Sequence, residues 1–118
     1  MTQAHRFFSK TQTEELSLAT FDEKLEAHRQ ELVGVFFWGH DCPNCDVAKT
    51  MLAQESDAFL SFGIKWFHVN VYENFDLGTR FGLVGIPTFL FFKNGKKLGR
   101  ISPFPGTEPF FETLRKLK

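Results

Sequence analysis

The sequence predicts an α/β fold, and three local patterns carry that expectation. Leu32 to Trp38 (LVGVFFW) is apolar, β-branched and aromatic, and is too short for a helix buried on all sides, so it reads as a central strand. After the turn-forming residues from Gly39 to Pro43, the positions Val47, Met51, Gln54 and Ala58, with Ala48, Leu52 and Phe59 beside them, recur at helical spacing to about Leu60. Further on, TFLFFKNGKKLGRI contains Asn94-Gly95, which supplies the positive φ angles of a type I′ turn between two antiparallel strands.

The remaining elements follow in order. Residues 1–13 are polar apart from Phe7 and Phe8 and read as a loosely held arm. Leu16 and Leu18 alternate with polar neighbours, as in a short edge strand. Thr20 with Glu23 forms a capping box, and Phe21, Leu25 and His28 give a helix to about Arg29. Ile64 to Val71 alternates as a strand, with Ile64, Trp66, His68 and Asn70 on one face, and a short helix runs from about Asn74 to Phe81. Thr107 caps a last helix with Pro109 in its first turn and Phe110, Leu114 and Leu117 along its apolar stripe. The predicted order is βαβαβαββα.

With 118 residues and no linker-like tract, the chain is expected to form one domain over residues 1–118. Fourteen basic and fourteen acidic side chains cancel, which argues against nucleic acid as a partner. The longest apolar runs, such as Ile86 to Phe92, fall well short of the roughly 20 residues of a membrane helix, so no membrane span is expected. The aromatic content is uneven, with sixteen Phe to one Tyr. Two uses are open: filling a small core with large rings, or lining an exposed groove for unfolded peptides.

The only cysteines, Cys42 and Cys45, lie in CPNC where a strand gives way to a helix. Two thiols at this spacing can close a short disulfide ring, and the unpaired N–H groups of the helix start favour a thiolate on the first sulfur. Two other readings stay open at this point. A stapling disulfide this local would restrain little chain. A zinc site would need ligands beyond the two thiolates, with His40 or His68 the available ones. No metal and no organic cofactor is expected.

WGHDCPNC followed by GIPTFLFFKNG, with Pro87 42 residues after Cys45, resembles the thioredoxin family, and the resemblance runs from Thr20 to Leu117. It implies the thioredoxin fold, a three-layer α/β/α arrangement around a central mixed sheet. It also implies that Cys42 is the attacking nucleophile and Cys45 the resolving thiol. Ile86–Pro87 is then a cis bond, a form found in only about one X–Pro bond in twenty, and places the Ile86 backbone where an extended substrate chain can pair with it. Trp38 would pack beside the disulfide.

Against the family pattern this sequence has several departures. Pro43 and Asn44 stand where thioredoxins usually have Gly-Pro, which brings the motif nearer to the CPHC and CPYC of oxidant and glutaredoxin relatives. Phe36 occupies the position of a buried Asp that helps deprotonate the resolving thiol. His68 falls where a Lys is common, and is read either as a satisfied strand histidine or as a proton relay to Cys45. Asp41 and Asp46 flank the motif in place of an aromatic and a Lys. Their charges oppose a thiolate, with His40 a counterweight if protonated, and they are read as solvated groups that repel acidic partners. Thr50 replaces a kinking Pro, so a straighter helix is expected. Ser102 and Pro103 replace the Val and Gly that complete the substrate groove.

The expected function is thiol–disulfide exchange with protein disulfides or dithiols, the protein acting as reductant and drawing electrons from a thioredoxin-reductase-like or other thiol donor. A monomer in the cytoplasm is expected, because small secreted domains usually carry further disulfides; removal of a signal sequence would make it periplasmic. The competing expectation is a non-catalytic peptide-binding or chaperone-like module with a redox-switched surface, which exposed Phe75, Phe104 or Phe110 would support.

Overall fold

Five strands form the middle layer of a computed structural model that describes residues 3–118. In chain order the elements are α1 (Gln3–Lys10), β1 (Glu14–Glu15), α2 (Phe21–Ala27), β2 (Val33–Trp38), α3 (Pro43–Gln54), α4 (Ser56–Ser61), β3 (Lys65–Asn70), α5 (Phe75–Arg80), β4 (Thr88–Lys93), β5 (Lys96–Ile101) and α6 (Thr107–Leu117). The sheet order is β1-β3-β2-β4-β5, with β1 and β2 parallel to β3, and β4 antiparallel to both β2 and β5. Parallel β2 and β3 require a crossover, which α3 and α4 provide. The β4–β5 hairpin turns on Asn94 and Gly95 with φ of 54° and 76°, both in the left-handed region that a type I′ turn needs.

Alternation along the strands divides the core between the two faces of the sheet. Phe36, Trp66, Phe89 and Phe91 face α1, α3, α4 and α6, where they meet Phe7, Leu52, Phe59 and Phe110. Val35, Phe37, Phe67 and Leu90 face α2 and α5, where they meet Phe21 and Leu77. The result is the three-layer α/β/α mixed sheet that the family resemblance implied. Most of the Phe content is core. Phe36 stacks on Phe89 with centroids 4.7 Å apart, and Phe59 stacks on Trp66 at 4.7 Å. Phe110 is fully buried and Phe104 is partly buried against the same cluster, whereas Phe75 is 69 % exposed.

Several local expectations are corrected. Residues 3–13 are not a loose arm, while residues 1 and 2 of that expectation lie outside the described residues: α1 inserts Phe7, 1 % exposed, edge-on against Phe36 at 5.3 Å and Phe59 at 6.0 Å. Tertiary burial of one ring stabilises an eight-residue helix that would be marginal alone. The edge strand is Glu14–Glu15 rather than the Leu16–Leu18 stretch, with the Leu16 N–H still donating to the His68 carbonyl at 2.8 Å. Thr20 makes no side-chain cap bond to α2, because its hydroxyl accepts from the Ser17 N–H at 3.0 Å. The single helix expected to Leu60 is two, broken at Glu55 (φ −116°, ψ 36°), while the chain stays helical through Thr50. Val47 and Gln54 are exposed, and the buried face of α3 is Cys45, Ala48, Lys49, Leu52 and Ala53. At α6 the N-cap is Gly106 (φ 100°), with Thr107 the first helical residue.

Candidate active site

Cys42 is the N-cap of α3, in extended backbone, and its sulfur accepts the Cys45 N–H at 3.1 Å. Pro43 at the first helical position gives up an N–H that would have had no partner in the helix. The two sulfurs are joined in a disulfide with Cα atoms 5.2 Å apart. Cys42 is half-buried and Cys45 is fully buried. Of the two sulfurs, Cys42 is therefore the one open to the outside. Pro43, Asn44 and Asp41 are exposed around the accessible sulfur, Asp41 with φ 52°.

Across from the disulfide, the Ile86 carbonyl oxygen lies 3.9 Å from Cys42 Sγ. The Ile86–Pro87 bond is cis, as the family resemblance implied, and the Ser102–Pro103 bond is cis as well. Ser102 Oγ donates to the Pro87 carbonyl at 3.2 Å and lies 3.0 Å from Thr88 Oγ1, so the replaced groove residue is tied to the proline edge. Gly39 allows the walls to meet. A Cβ there would stand 2.4 Å from the Tyr72 ring and 2.9 Å from Ile86 Cδ1, so a larger residue would push both away. From this edge a groove of about 330 Å³ continues over Tyr72, Phe75, Val84 and Ile86.

At the end of β2, Trp38 Nε1 donates to His68 Nδ1 at 3.0 Å. The Trp38 ring also meets Phe8 at 5.3 Å and His40 at 5.6 Å. Phe8 of α1 stacks on His68 with centroids 3.9 Å apart. Phe36 and His68 are register partners on β2 and β3, so the position of the missing carboxylate is filled by a ring within the aromatic cluster. His40 is engaged differently from the expected counter-charge to Asp41 and Asp46. Asn70 Oδ1 accepts from the Tyr72 N–H, which leaves Asn70 Nδ2 to donate to His40 Nε2 at 2.8 Å, and Glu73 stands 3.7 Å from the same nitrogen. Asp41 and Asp46 are exposed, as expected of solvated groups.

Lys49 was not singled out from the sequence. It is 7 % exposed, with Nζ 3.8 Å from the Trp38 ring centroid and 5.1 Å from that of Phe8. Burial pushes its pKa below the ordinary lysine value, against the opposing charge of Asp46. The signal that could have found it is its spacing: four residues after Cys45 puts it on the same side of α3.

His68 has its pKa lowered from 6.5 to about 4, first by burial and then by the Lys49 charge. With Nδ1 accepting from Trp38, its proton resides on Nε2, and it is neutral at physiological pH. This favours the satisfied strand histidine over the proton relay. It also fixes an acid response. Between pH 6.5 and about 4 the unfolded chain binds a proton at this residue that the folded chain refuses. Stability from this group is therefore intact above the window and lost as pH falls through it, by up to about 3 kcal/mol. In urea unfolding the wild type should lose stability across that window, and His68→Gln should lose less; equal slopes would refute the assignment.

No group of three or more His, Cys, Asp or Glu side chains converges as metal ligands among the described residues. No helix among them is long and apolar enough to cross a membrane.

A half-exposed and a buried cysteine, joined across a helix start beside a cis-proline edge, define a protein that exchanges electrons through a thiol–disulfide couple. Comparison with known proteins agrees. The thioredoxin family model matches residues 12–115. A thioredoxin of Gallus gallus is 31 % identical over 101 residues, covering 86 % of this chain and 93 % of that protein. A thioredoxin of Malassezia sympodialis is 28 % identical over 71 residues, 60 % of this chain and 68 % of its own. Among solved structures, the reduced Schistosoma mansoni thioredoxin pre-protein superposes with a TM-score of 0.74 at 22 % identity, covering 88 % of this chain and 96 % of that one. The Fasciola hepatica thioredoxin does so with a TM-score of 0.72 at 23 % identity, over 90 % and 100 %. The chain belongs to the thioredoxin family, and the Cys42–Cys45 pair is its thiol–disulfide redox centre.

Proposed function

We propose that the protein is a protein-disulfide reductase. The observation that carries this reading is the asymmetry of the pair, an accessible Cys42 at the helix start with a buried Cys45 bonded behind it. In the dithiol form the Cys42 thiolate attacks a substrate disulfide, forms a mixed disulfide and releases one substrate sulfur as a thiolate. Cys45, having lost its proton, attacks Cys42 Sγ, closes the Cys42–Cys45 disulfide and releases the second substrate sulfur. Two electrons pass to the substrate and a thiol donor restores the dithiol. The Cys45 N–H that now contacts Cys42 Sγ is a ready donor to the thiolate.

Protein substrates are supported by the open edge beside the sulfur. Ile86 presents backbone there, and exposed Tyr72, Phe75 and Val84 offer apolar contact to residues flanking a substrate cysteine. The same reading makes the protein a monomer working in a reducing compartment, its two cysteines both committed to the couple. Of the Phe residues that would have supported a chaperone-like module, only Phe75 is exposed, so the catalytic reading is preferred.

The test is the equilibrium of the Cys42–Cys45 couple with glutathione, together with turnover on insulin disulfides. A reductase should have a potential near the thioredoxin value of about −270 mV and should reduce insulin with a dithiol donor. A potential near about −120 mV, with faster oxidation than reduction of protein thiols, would reverse the direction.

A further inference from the structure

α3 buries one charged side chain, Lys49. Among the described residues Lys49 takes part in no ion pair. Removing an ammonium from water costs several kcal/mol even after relaxation, and such groups are normally paired. Here two aromatic faces, Trp38 and Phe8, stand in for a counter-ion. A desolvated cation–π contact recovers about 2 kcal/mol, and with the opposing charge of exposed Asp46 it offsets only part of that cost, since burial still pulls the Lys49 pKa down.

The groups around it define what the missing anion is. β2 contributes Trp38, and the loop after it contributes exposed His40 and Asp41. β3 contributes His68, whose Nδ1 is taken by Trp38, and Asn70, which is bonded to His40. On α1 the titratable residues His5, Arg6 and Lys10 are exposed, while Phe8 covers the ammonium. α3 itself contributes exposed Asp46 and, one turn before Lys49 on the same buried face, Cys45. Side chains four apart on a helix are neighbours, with Cβ atoms about 5–6 Å apart. In the disulfide Cys45 is neutral. It becomes an anion only when the couple is reduced or when it attacks the mixed disulfide.

We propose that Lys49 is an electrostatic positioning residue of the redox couple, a buried ammonium held against Trp38 by α1 that supplies the counter-charge for the thiolate formed at Cys45. The inference rests on the thiol–disulfide chemistry of the pair and not on its direction. No proton is transferred to Lys49. The Cys45 proton leaves to water, the Cys45 thiolate attacks Cys42 Sγ, the bond from Cys42 to the substrate sulfur breaks, and the substrate thiolate takes up a proton from solvent. Phe36 leaves no carboxylate to draw that proton away, and a fixed cation lowers the cost of losing it. The uncharged state of His68 keeps a single positive charge in this pocket.

The consequence is a shift in the couple. A cation that stabilises the thiolate stabilises the reduced form, so its removal makes the protein a stronger reductant. With glutathione at about pH 8, close to the ordinary cysteine value of about 8.5, Lys49→Met should shift the equilibrium toward the disulfide by about three- to tenfold, or about 15–30 mV. Lys49→Arg, which keeps the charge, should stay within about twofold of wild type. An unshifted Lys49→Met, or a Lys49→Arg shifted as far as Lys49→Met, would overturn the proposal, because a packing defect alone follows size and not charge. If Lys49→Met does not fold, the wild type decides. The Lys49 ¹³Cε resonance should titrate at higher pH in the reduced than in the oxidised protein, since opposite charges stabilise each other reciprocally. The same midpoint in both redox states would refute it. Wild-type exchange with glutathione is read in the same experiment, so a failure of the redox chemistry itself would show separately.

Discussion

Cys42→Ser should abolish disulfide exchange, and Cys45→Ser should accumulate a covalent complex with substrate. The two outcomes follow from the burial of the sulfurs. Cys42 is the half-buried one, at the helix start, and a serine oxygen in its place neither ionises near neutral pH nor cleaves a disulfide. Residual insulin reduction should therefore fall at least about a thousandfold, the scale on which loss of a covalent nucleophile is felt. Cys45 is fully buried and reaches only Cys42, so its loss leaves the first attack intact and removes the second. A mixed disulfide should then persist on a non-reducing gel and dissolve with dithiothreitol. Insulin turnover by Cys42→Ser at the wild-type rate, or a complex trapped by Cys42→Ser and not by Cys45→Ser, would refute the assignment of roles.

The legible parts of this site are those encoded within a few neighbouring residues. Cys42, Pro43, Asn44 and Cys45 lie between a strand and a helix, and that local order alone places one sulfur at an N-cap. The Asn94-Gly95 turn and the LVGVFFW strand are legible for the same reason, because φ preference and β-branched packing act over a few residues. What could not be read is what depends on distant partners. α1 is a polar segment whose only strong feature is Phe7-Phe8, and it becomes a helix because Phe7 fills a space between Phe36 and Phe59 while Phe8 covers His68 and Lys49. The break at Glu55 has no Gly or Pro to announce it, only Ser56 and Asp57 just beyond, which favour helix starts over helix interiors. Lys49 was missed because a lysine between Ala48 and Thr50 reads as a solvated face. Its burial depends on Trp38 from β2 and Phe8 from α1, which no local pattern joins to it. His68 was legible as a position of interest, but its neutral state follows from its partners and not from its place on β3.

The second large effect concerns the position where the family carries a buried carboxylate. Phe36→Asp, which restores that residue type, should destabilise the fold by more than about 4 kcal/mol instead of improving catalysis. Phe36 is 1 % exposed, stacked on Phe89 at 4.7 Å and met edge-on by Phe7 at 5.3 Å. Truncating a buried Phe costs about 3–5 kcal/mol through lost contacts and the cavity left behind. The carboxyl adds a further cost, because position 36 lies within a buried apolar cluster. Since domains of this size are stable by about 5–15 kcal/mol in total, the variant should show a steep drop in its urea midpoint or fail to fold at ambient temperature. Phe36→Leu, which keeps an apolar side chain, separates the two contributions and should cost less than about half as much. The comparison bears on mechanism as well as stability. If Phe36→Asp folds within about 1 kcal/mol of wild type and gains exchange rate, the aromatic cluster tolerates a carboxylate, and the counter-charge assigned to Lys49 is not needed for the resolving step. If it unfolds while Phe36→Leu remains active, this chain has replaced a buried base with packing, and the task of favouring the Cys45 thiolate falls to groups other than residue 36.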